Sequence, residues 1–399
     1  MLVELLHELQ EKVFQYTDVD SLSNLSLCSR SYSEMCKPFL WKNIKVPLPH
    51  LLDSLISEHH KEEIEHLQHA RSLRLIGVDM TQQNLNIALT NIRKLLTSSS
   101  NLSVLHTWFL PKNVFSGFPQ IRLQEVCLTR YAATDVALET LSSAHPQLRS
   151  LAMENGRIFT GKAALSINRF KKLEKLSLLY CNIYLRDITG DVPLLELSVS
   201  QCVVEEEDIF SCCSSFGNMK RLTLYSCNNS KAYDDTVSVF TDIGMLSCLR
   251  ELNVSQMPLG DAAMNSLRAC KELQSLEARS THITDTGLTF ISQMTSLHKI
   301  DVSHCQWITS EGVSHLVRLP HLAVLYMNGC GVDDDCMKTI STIGTLKDVS
   351  LCGCRMLTDI CVPHLCTMPP LERLDICGCY GITEHARESL LPHVKHLLT

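Results

Sequence analysis

The stretch Leu297 to Cys305, LHKIDVSHC, has apolar residues at its first, fourth and sixth places and a cysteine at its ninth. The same spacing begins at Leu102, Leu123, Leu148, Leu173, Leu194, Met219, Leu249, Leu273, Leu297, Leu322, Leu346 and Leu371. The step from one start to the next is nearly constant, and only that from Met219 to Leu249 is markedly longer. Side chains alternate along a strand, so one copy leaves its apolar face uncovered. A long series of copies covers it by stacking, each repeat completing the core of its neighbour. The copy from Leu273 to Leu297 predicts the local structure. Leu276 points inward from a short strand while Glu277 and Arg279 face the other way. Thr284-Asp285 then offers a helix N-cap, and Leu288 and Ile291 supply the buried side of the returning helix.

The ninth-place cysteines are Cys181, Cys202, Cys227, Cys305, Cys330, Cys354 and Cys379. Each falls where the chain turns out of its strand, a site for a small, weakly polar side chain. This register is similar to the cysteine-containing subfamily of leucine-rich repeats. The resemblance implies an α/β solenoid: a horseshoe of about 12 to 13 repeats over 70–399 with parallel strands on the concave face. Ala70 to Val78 reads as a weak first repeat, and Val394 to Thr399 as a truncated last one covering the end of the core. With strands spaced about 4.8 Å apart, the inner surface is on the order of 50 Å long. That suits a folded protein better than a small molecule, which prefers a closed concavity.

Residues 1–46 read as a compact helical segment, and 47–69 as a connecting helix with a solvated charged face. His59, His60, His66 and His69 in and beside that helix lack the spacing of a metal motif. The order Leu5, Leu6, Glu8, Leu9; Val13, Phe14, Tyr16, Thr17; Leu22, Leu25, Cys28, Arg30, Tyr32; Leu40, Trp41 resembles the F-box. Leu6 and Thr17 depart from that pattern, which usually has Pro and Leu there. An F-box followed by leucine-rich repeats resembles the substrate receptors of Skp–cullin–F-box ubiquitin ligases. The resemblance implies that Leu5, Leu9, Val13, Phe14, Leu22, Leu25 and Trp41 dock on the Skp-type linker of a cullin–RING scaffold. The repeats would then hold a protein substrate. The alternative is a stand-alone repeat scaffold or inhibitor whose helical segment is only a cap.

Composition excludes several other classes. A net charge of −7 over 399 residues gives no basic field for nucleic acid or anionic lipid. No apolar run reaches the roughly 18 residues of a membrane span. Glu4, Glu8 and Glu11 interrupt the place where a signal peptide needs an apolar core. The 19 cysteines are therefore expected to be reduced thiols in the cytosol or nucleus. No phosphate loop, nucleophile elbow or metalloprotease motif is present, so neither a catalytic role nor a cofactor is expected. Cys352-Gly353-Cys354 and Cys377-Gly378-Cys379 stand one repeat apart. Cys352 and Cys377 would face the concave side as strand neighbours, a candidate metal or redox pair, although small residues on a concave face are the favoured explanation.

Recognition is expected on that concave face. Its charges are mixed, with no cluster of the kind that binds a phosphorylated motif. The candidates are Trp108, Tyr180, Tyr225, Arg279, Asp301, His304 and Tyr326, aromatics and Arg being frequent interface anchors. Tyr233 joins them from the insertion after Cys227 in the one long repeat, since insertions in a solenoid emerge as loops.

Overall fold

The computed structural model describes residues 42–47, 70–76, 96, 101–108, 121–156, 160–182, 185–202, 216–227 and 241–399. Leu5, Leu9, Val13, Phe14, Leu22, Leu25, Trp41 and Tyr233 lie outside these residues. So do the connecting helix over 48–69 and all of the F-box-like segment before Lys42. Residues 43–46, the tail of the segment expected to be helical, lie in a strand instead, where the alternation of Ile44 and Val46 continues the period of two.

The chain divides into two compact units, Met1–Leu173 and Glu174–Thr399. In the first, β1 (Asn43–Pro47), β2 (Ser72–Ile76), β3 (Val104–Thr107), β4 (Glu125–Thr129) and β5 (Ser150–Glu154) pair in parallel and in sequence order. Helix α1 (Asp135–Ala144) follows β4, and α2 (Gly161–Ile167) follows β5. Thr134 and Thr160 cap them by accepting from Ala137 N–H and Lys162 N–H.

The second unit continues the pattern through β6 (Lys175–Leu179), β7 (Glu196–Ser200), β8 (Arg221–Tyr225), β9 (Glu251–Asn253) and β10 (Ser275–Glu277). Then come β11 (Lys299–Asp301), β12 (Val324–Tyr326), β13 (Asp348–Ser350), β14 (Leu371–Asp375) and β15 (Val394–Leu398). Every neighbouring pair is parallel. The returning segments carry α3 (Asp261–Leu267), α4 (Asp285–Ile291), α5 (Ser310–Ser314), α6 (Asp334–Ile340), α7 (Val362–Cys366) and α8 (Glu384–Glu388).

The register aligns the apolar places. Leu276 pairs with Ile300, Ile300 with Leu325, Leu325 with Val349 and Val349 with Leu374, and all five side chains are fully buried. Each contributes roughly 1.5–3 kcal/mol when removed from water. Leu297, Val302 and Cys305 are equally buried, as the period predicts. Thr284 caps α4 by accepting from Thr286 N–H at 3.2 Å, and Leu288 and Ile291 are its buried residues together with Gly287.

Two features mark the turn beyond each strand. The eighth place is left-handed in every described repeat from Leu123 onward. Arg130, Asn155, Tyr180, Gln201, Ser226, Gln256, Ser280 and His304 have φ of 49–61°, and Gly329, Gly353 and Gly378 have 63–71°. The second feature is an insertion. The repeats that start at Leu297 and Leu346 each carry a single extra position after the ninth-place cysteine, absent from the repeats that start at Leu273 and Leu322. Trp307 and Met356 occupy that extra place and are 64% and 59% exposed, while Ile308 and Leu357 return to the core.

Candidate functional site

The ninth-place cysteines replace part of the strand ladder. In a parallel ladder that ran on, the N–H of the seventh place would bond the sixth-place carbonyl of the preceding repeat. Here that carbonyl accepts the thiol of the ninth-place cysteine. Cys305 donates to Ala278 O at 3.2 Å, Cys330 to Val302 O at 3.2 Å, Cys354 to Met327 O at 3.2 Å and Cys379 to Leu351 O at 3.1 Å. Cys202 and Cys227 do the same to Leu178 and Val199 at 3.6 and 3.3 Å. Burial pushes the thiols up, Cys227 to about 11 and Cys354 to about 12, so each stays a neutral donor.

The seventh-place N–H groups then need other acceptors, and the open face of the sheet supplies them. Asn253 Oδ1 takes Ser255 N–H at 2.9 Å, Ser255 Oγ takes Arg279 N–H at 3.2 Å and Asp301 Oδ1 takes Ser303 N–H at 3.1 Å. Ser303 Oγ takes Asn328 N–H at 3.2 Å, Asn328 Oδ1 takes Cys352 N–H at 2.7 Å and Asp375 Oδ1 takes Cys377 N–H at 3.1 Å. Polar side chains of the fifth and seventh places thus form a continuous line of caps across six repeats.

Beside this line runs a chain of charges. Arg279 Nε donates to Asp301 Oδ2 at 2.5 Å, and Lys299 pairs with Glu277. Tyr326 donates its hydroxyl to Asp348 Oδ2 at 2.7 Å, and Arg373 Nε donates to Asp348 Oδ1 at 2.8 Å. The Lys299 ammonium and the Arg373 guanidinium lie 5.9 and 5.1 Å from the centre of the Tyr326 ring. Such contacts hold an aromatic in place at an exposed site. Burial first, and then the hydrogen bond to Asp348, pushes the Tyr326 hydroxyl up, and Asp348 likewise raises Arg373.

This geometry sorts the candidates. Arg279 and Asp301 touch each other, and Tyr326 sits one repeat along between Lys299 and Arg373. Tyr180 is half exposed at a left-handed turn, Tyr225 is half-buried, and His304 is exposed. Asp301 corrects the expectation that it faces a partner: its side chain is fully buried, because Arg279 covers it and Ser303 N–H caps it. Trp108 is likewise buried rather than displayed. Lys299, Asp348 and Arg373 belong to the mixed charges that the period places on the open face, but their grouping around Tyr326 was not foreseen. Their signal was the third place, whose charges converge on Tyr326 from the repeat before it and the two after it.

An open trough of about 760 Å³ adjoins this face. Its lining includes His304, Asn328, Cys352, Arg355 and Tyr380, with Gly329, Gly353 and Gly378 at the left-handed place. A Cβ on Gly329 would stand 2.7 Å from His304 Nδ1, so glycine there spares both a left-handed side chain and a displacement of the imidazole. Cys352 and Cys377 are partly exposed thiols. Among the described residues no cluster of three or more His, Cys, Asp or Glu side chains could hold a metal ion, and no helix is long and apolar enough to cross a membrane.

A family model described as leucine-rich repeat matches residues 293–317, the repeat in which the period was first read. No curated protein matches the chain in sequence. Among solved structures, an internalin (InlF) from Listeria monocytogenes superposes with a TM-score of 0.51 at 17% identity, over 78% of this chain and 82% of that one. The repeat ectodomain of the Arabidopsis thaliana receptor kinase GASSHO1/SCHENGEN3 gives 0.48 at 13% identity, over 91% of this chain and 45% of that one. At such identities the likeness is one of fold. The internalin likeness, the family-model match and the register of parallel strands that recurs in both units give this chain a leucine-rich-repeat fold.

Proposed function

We propose that the chain is a non-catalytic recognition subunit that binds a protein on the open face of its repeats and presents it to a ubiquitin ligase. The observation that carries the binding half is the chain of partly exposed side chains from Glu277 through Lys299, Tyr326 and Arg373. Lys299 and Arg373 keep 33% and 36% of their side chains exposed, so their outer edges remain open to a partner. Aromatic and Arg anchors held in place beforehand bind with less ordering cost. An open face of this kind fits a protein surface rather than a small molecule.

The ligase half rests on the F-box-like order of residues 1–46. It assigns Leu5, Leu9, Val13, Phe14, Leu22, Leu25 and Trp41 to the Skp-type linker, and through it the chain joins a cullin–RING scaffold in the cytosol or nucleus. Such a subunit acts by proximity, raising the effective concentration of substrate lysines at the conjugating enzyme. Co-expression of the full chain with the Skp-type linker, followed by affinity purification, tests it. A stoichiometric complex that Leu9→Asp or Phe14→Asp abolishes is expected. Absence of a complex with the unaltered chain leaves the stand-alone scaffold as the reading.

A further inference from the structure

Fifteen cysteines fall among the described residues, all of them free thiols. Eleven are buried. Cys248, Cys352, Cys366 and Cys377 are partly exposed, and of these Cys352 and Cys377 occupy the same place of adjacent repeats.

Their register is fixed. Ser350 pairs with Asp375 at the ends of β13 and β14, just ahead of each cysteine, and Gly353 N–H donates to Cys377 O at 2.7 Å. A Cβ built on Gly378 would lie 3.5 Å from Gly353 N and 3.6 Å from its Cα, so the two backbones are in contact just beyond the thiols. Adjacent strands place such partners about 4.8 Å apart. Disulfides span Cα separations of about 4.4–6.8 Å. Asn328 Oδ1 and Asp375 Oδ1 cap the N–H groups of Cys352 and Cys377, which holds both residues in register.

We infer that Cys352 and Cys377 form a cross-strand dithiol on the open face, a modification site that closes to a disulfide when a hydroperoxide oxidises it. Cys352 sulfur, after losing its proton, attacks the peroxide. The O–O bond breaks, the remaining oxygen leaves as alcohol or water, and Cys352 becomes a sulfenic acid. Cys377 sulfur then attacks Cys352 sulfur, and the hydroxyl leaves as water with the Cys377 proton. Two thiols are oxidised by two electrons in total and one peroxide bond is reduced by two.

Asp375 sets how readily this happens. Burial and then the Asp375 carboxylate push both thiols up, Cys377 through a direct hydrogen bond as well, so at neutral pH the pair is mostly protonated and resists low peroxide. The ninth-place cysteines beside them do not compete, since Cys354 and Cys379 are buried and spend their thiols on carbonyls.

The test exposes the reduced full chain to hydrogen peroxide, digests it without reductant and reads linked peptides by fragmentation. A link between Cys352 and Cys377 is expected as the dominant product. Its loss in Cys352→Ser and again in Cys377→Ser is also expected, each variant keeping the circular dichroism of the parent. Sulfinic acid at either cysteine without a link, or a link to Cys248 or Cys366 instead, overturns the assignment. Asp375→Asn keeps the capping oxygen and removes the charge. It should speed linking severalfold, and a link that forms no faster overturns the control by Asp375. None of these outcomes depends on linker binding.

Discussion

Asp285, the first residue of α4, holds the helix cap of the next repeat: its carboxylate accepts Thr309 N–H at 2.8 Å and Thr309 Oγ1–H at 2.7 Å. Asp261 does the same for Thr284, Asp334 for Thr358, Asp359 for Thr383 and Asp135 for Thr160. One interface reverses the roles. Between α5 and α6 the first helical residue is the donor Ser310 and the cap is the acceptor Asp333. Repeats are therefore joined by matched donors and acceptors on the helical side as well as by the strands.

That reversal makes a swap informative. Ser310→Asp alone sets two carboxylates against each other and should destabilise the chain by about 1–2 kcal/mol. Combining it with Asp333→Thr recreates the arrangement of Asp285 and Thr309, and most of the loss should return. Urea denaturation of the two single variants and the double variant checks this, and additive losses would refute the pairing.

The glycines of the left-handed place are predicted to differ among themselves. Gly329→Ala places its Cβ against His304 Nδ1 and Gly353→Ala meets nothing within 4 Å, although both pay about 1–2 kcal/mol for the left-handed backbone. Gly329→Ala should therefore lower Tm further than Gly353→Ala. Ser280→Gly, at φ 52° on the surface, should raise it slightly, by about 0.5–1 kcal/mol of stability. Thermal melts of the three variants decide the order.

What was legible in the sequence follows from what repeats in it. Leu297, Ile300, Val302 and Cys305 were placed correctly because each recurs at a fixed offset and each is buried by the same offset in the next copy. The left-handed eighth place was not legible, because eight different contexts fill it with Arg, Asn, Tyr, Gln, Ser and His. Nor was the line of caps, whose acceptor is the repeat's own fifth place in some repeats and the seventh place of the preceding repeat in others. Asp301 was misjudged for the same reason. Period assigns it to the open face, but Arg279 from the preceding repeat covers it.

His145 predicts a pH dependence for the first unit. Burial holds it neutral and lowers it from the ordinary 6.5 to about 4. Unfolded chains bind the proton from about pH 6.5 downward while the folded chain does not, so stability falls as pH drops from 6.5 toward 4 and is fully present above 6.5. The loss approaches about 3 kcal/mol at the acid end. Denaturation midpoints at pH 7.0 and 5.0 should separate in the parent and draw together in His145→Gln.

Asp301 and Arg279 offer the sharpest test of which open-face residues meet a partner. Asp301 is fully buried and accepts Ser303 N–H, whereas 48% of the Arg279 side chain is exposed. Removing the acid orphans a backbone donor and leaves a guanidinium that can turn to water. Removing the base leaves a carboxylate that keeps one backbone hydrogen bond and gains solvent on its opened side. Asp301→Ala should therefore cost about 1–3 kcal/mol of stability, the penalty of an unsatisfied buried donor. Arg279→Met should cost about 1 kcal/mol or less, because the half-exposed base is screened by water. Partner affinity should respond in the opposite order, since only Arg279 has surface left to offer. Paired measurements of denaturation and of binding to a captured partner check both halves. Equal losses of affinity at matched stability would return Asp301 to the recognition surface.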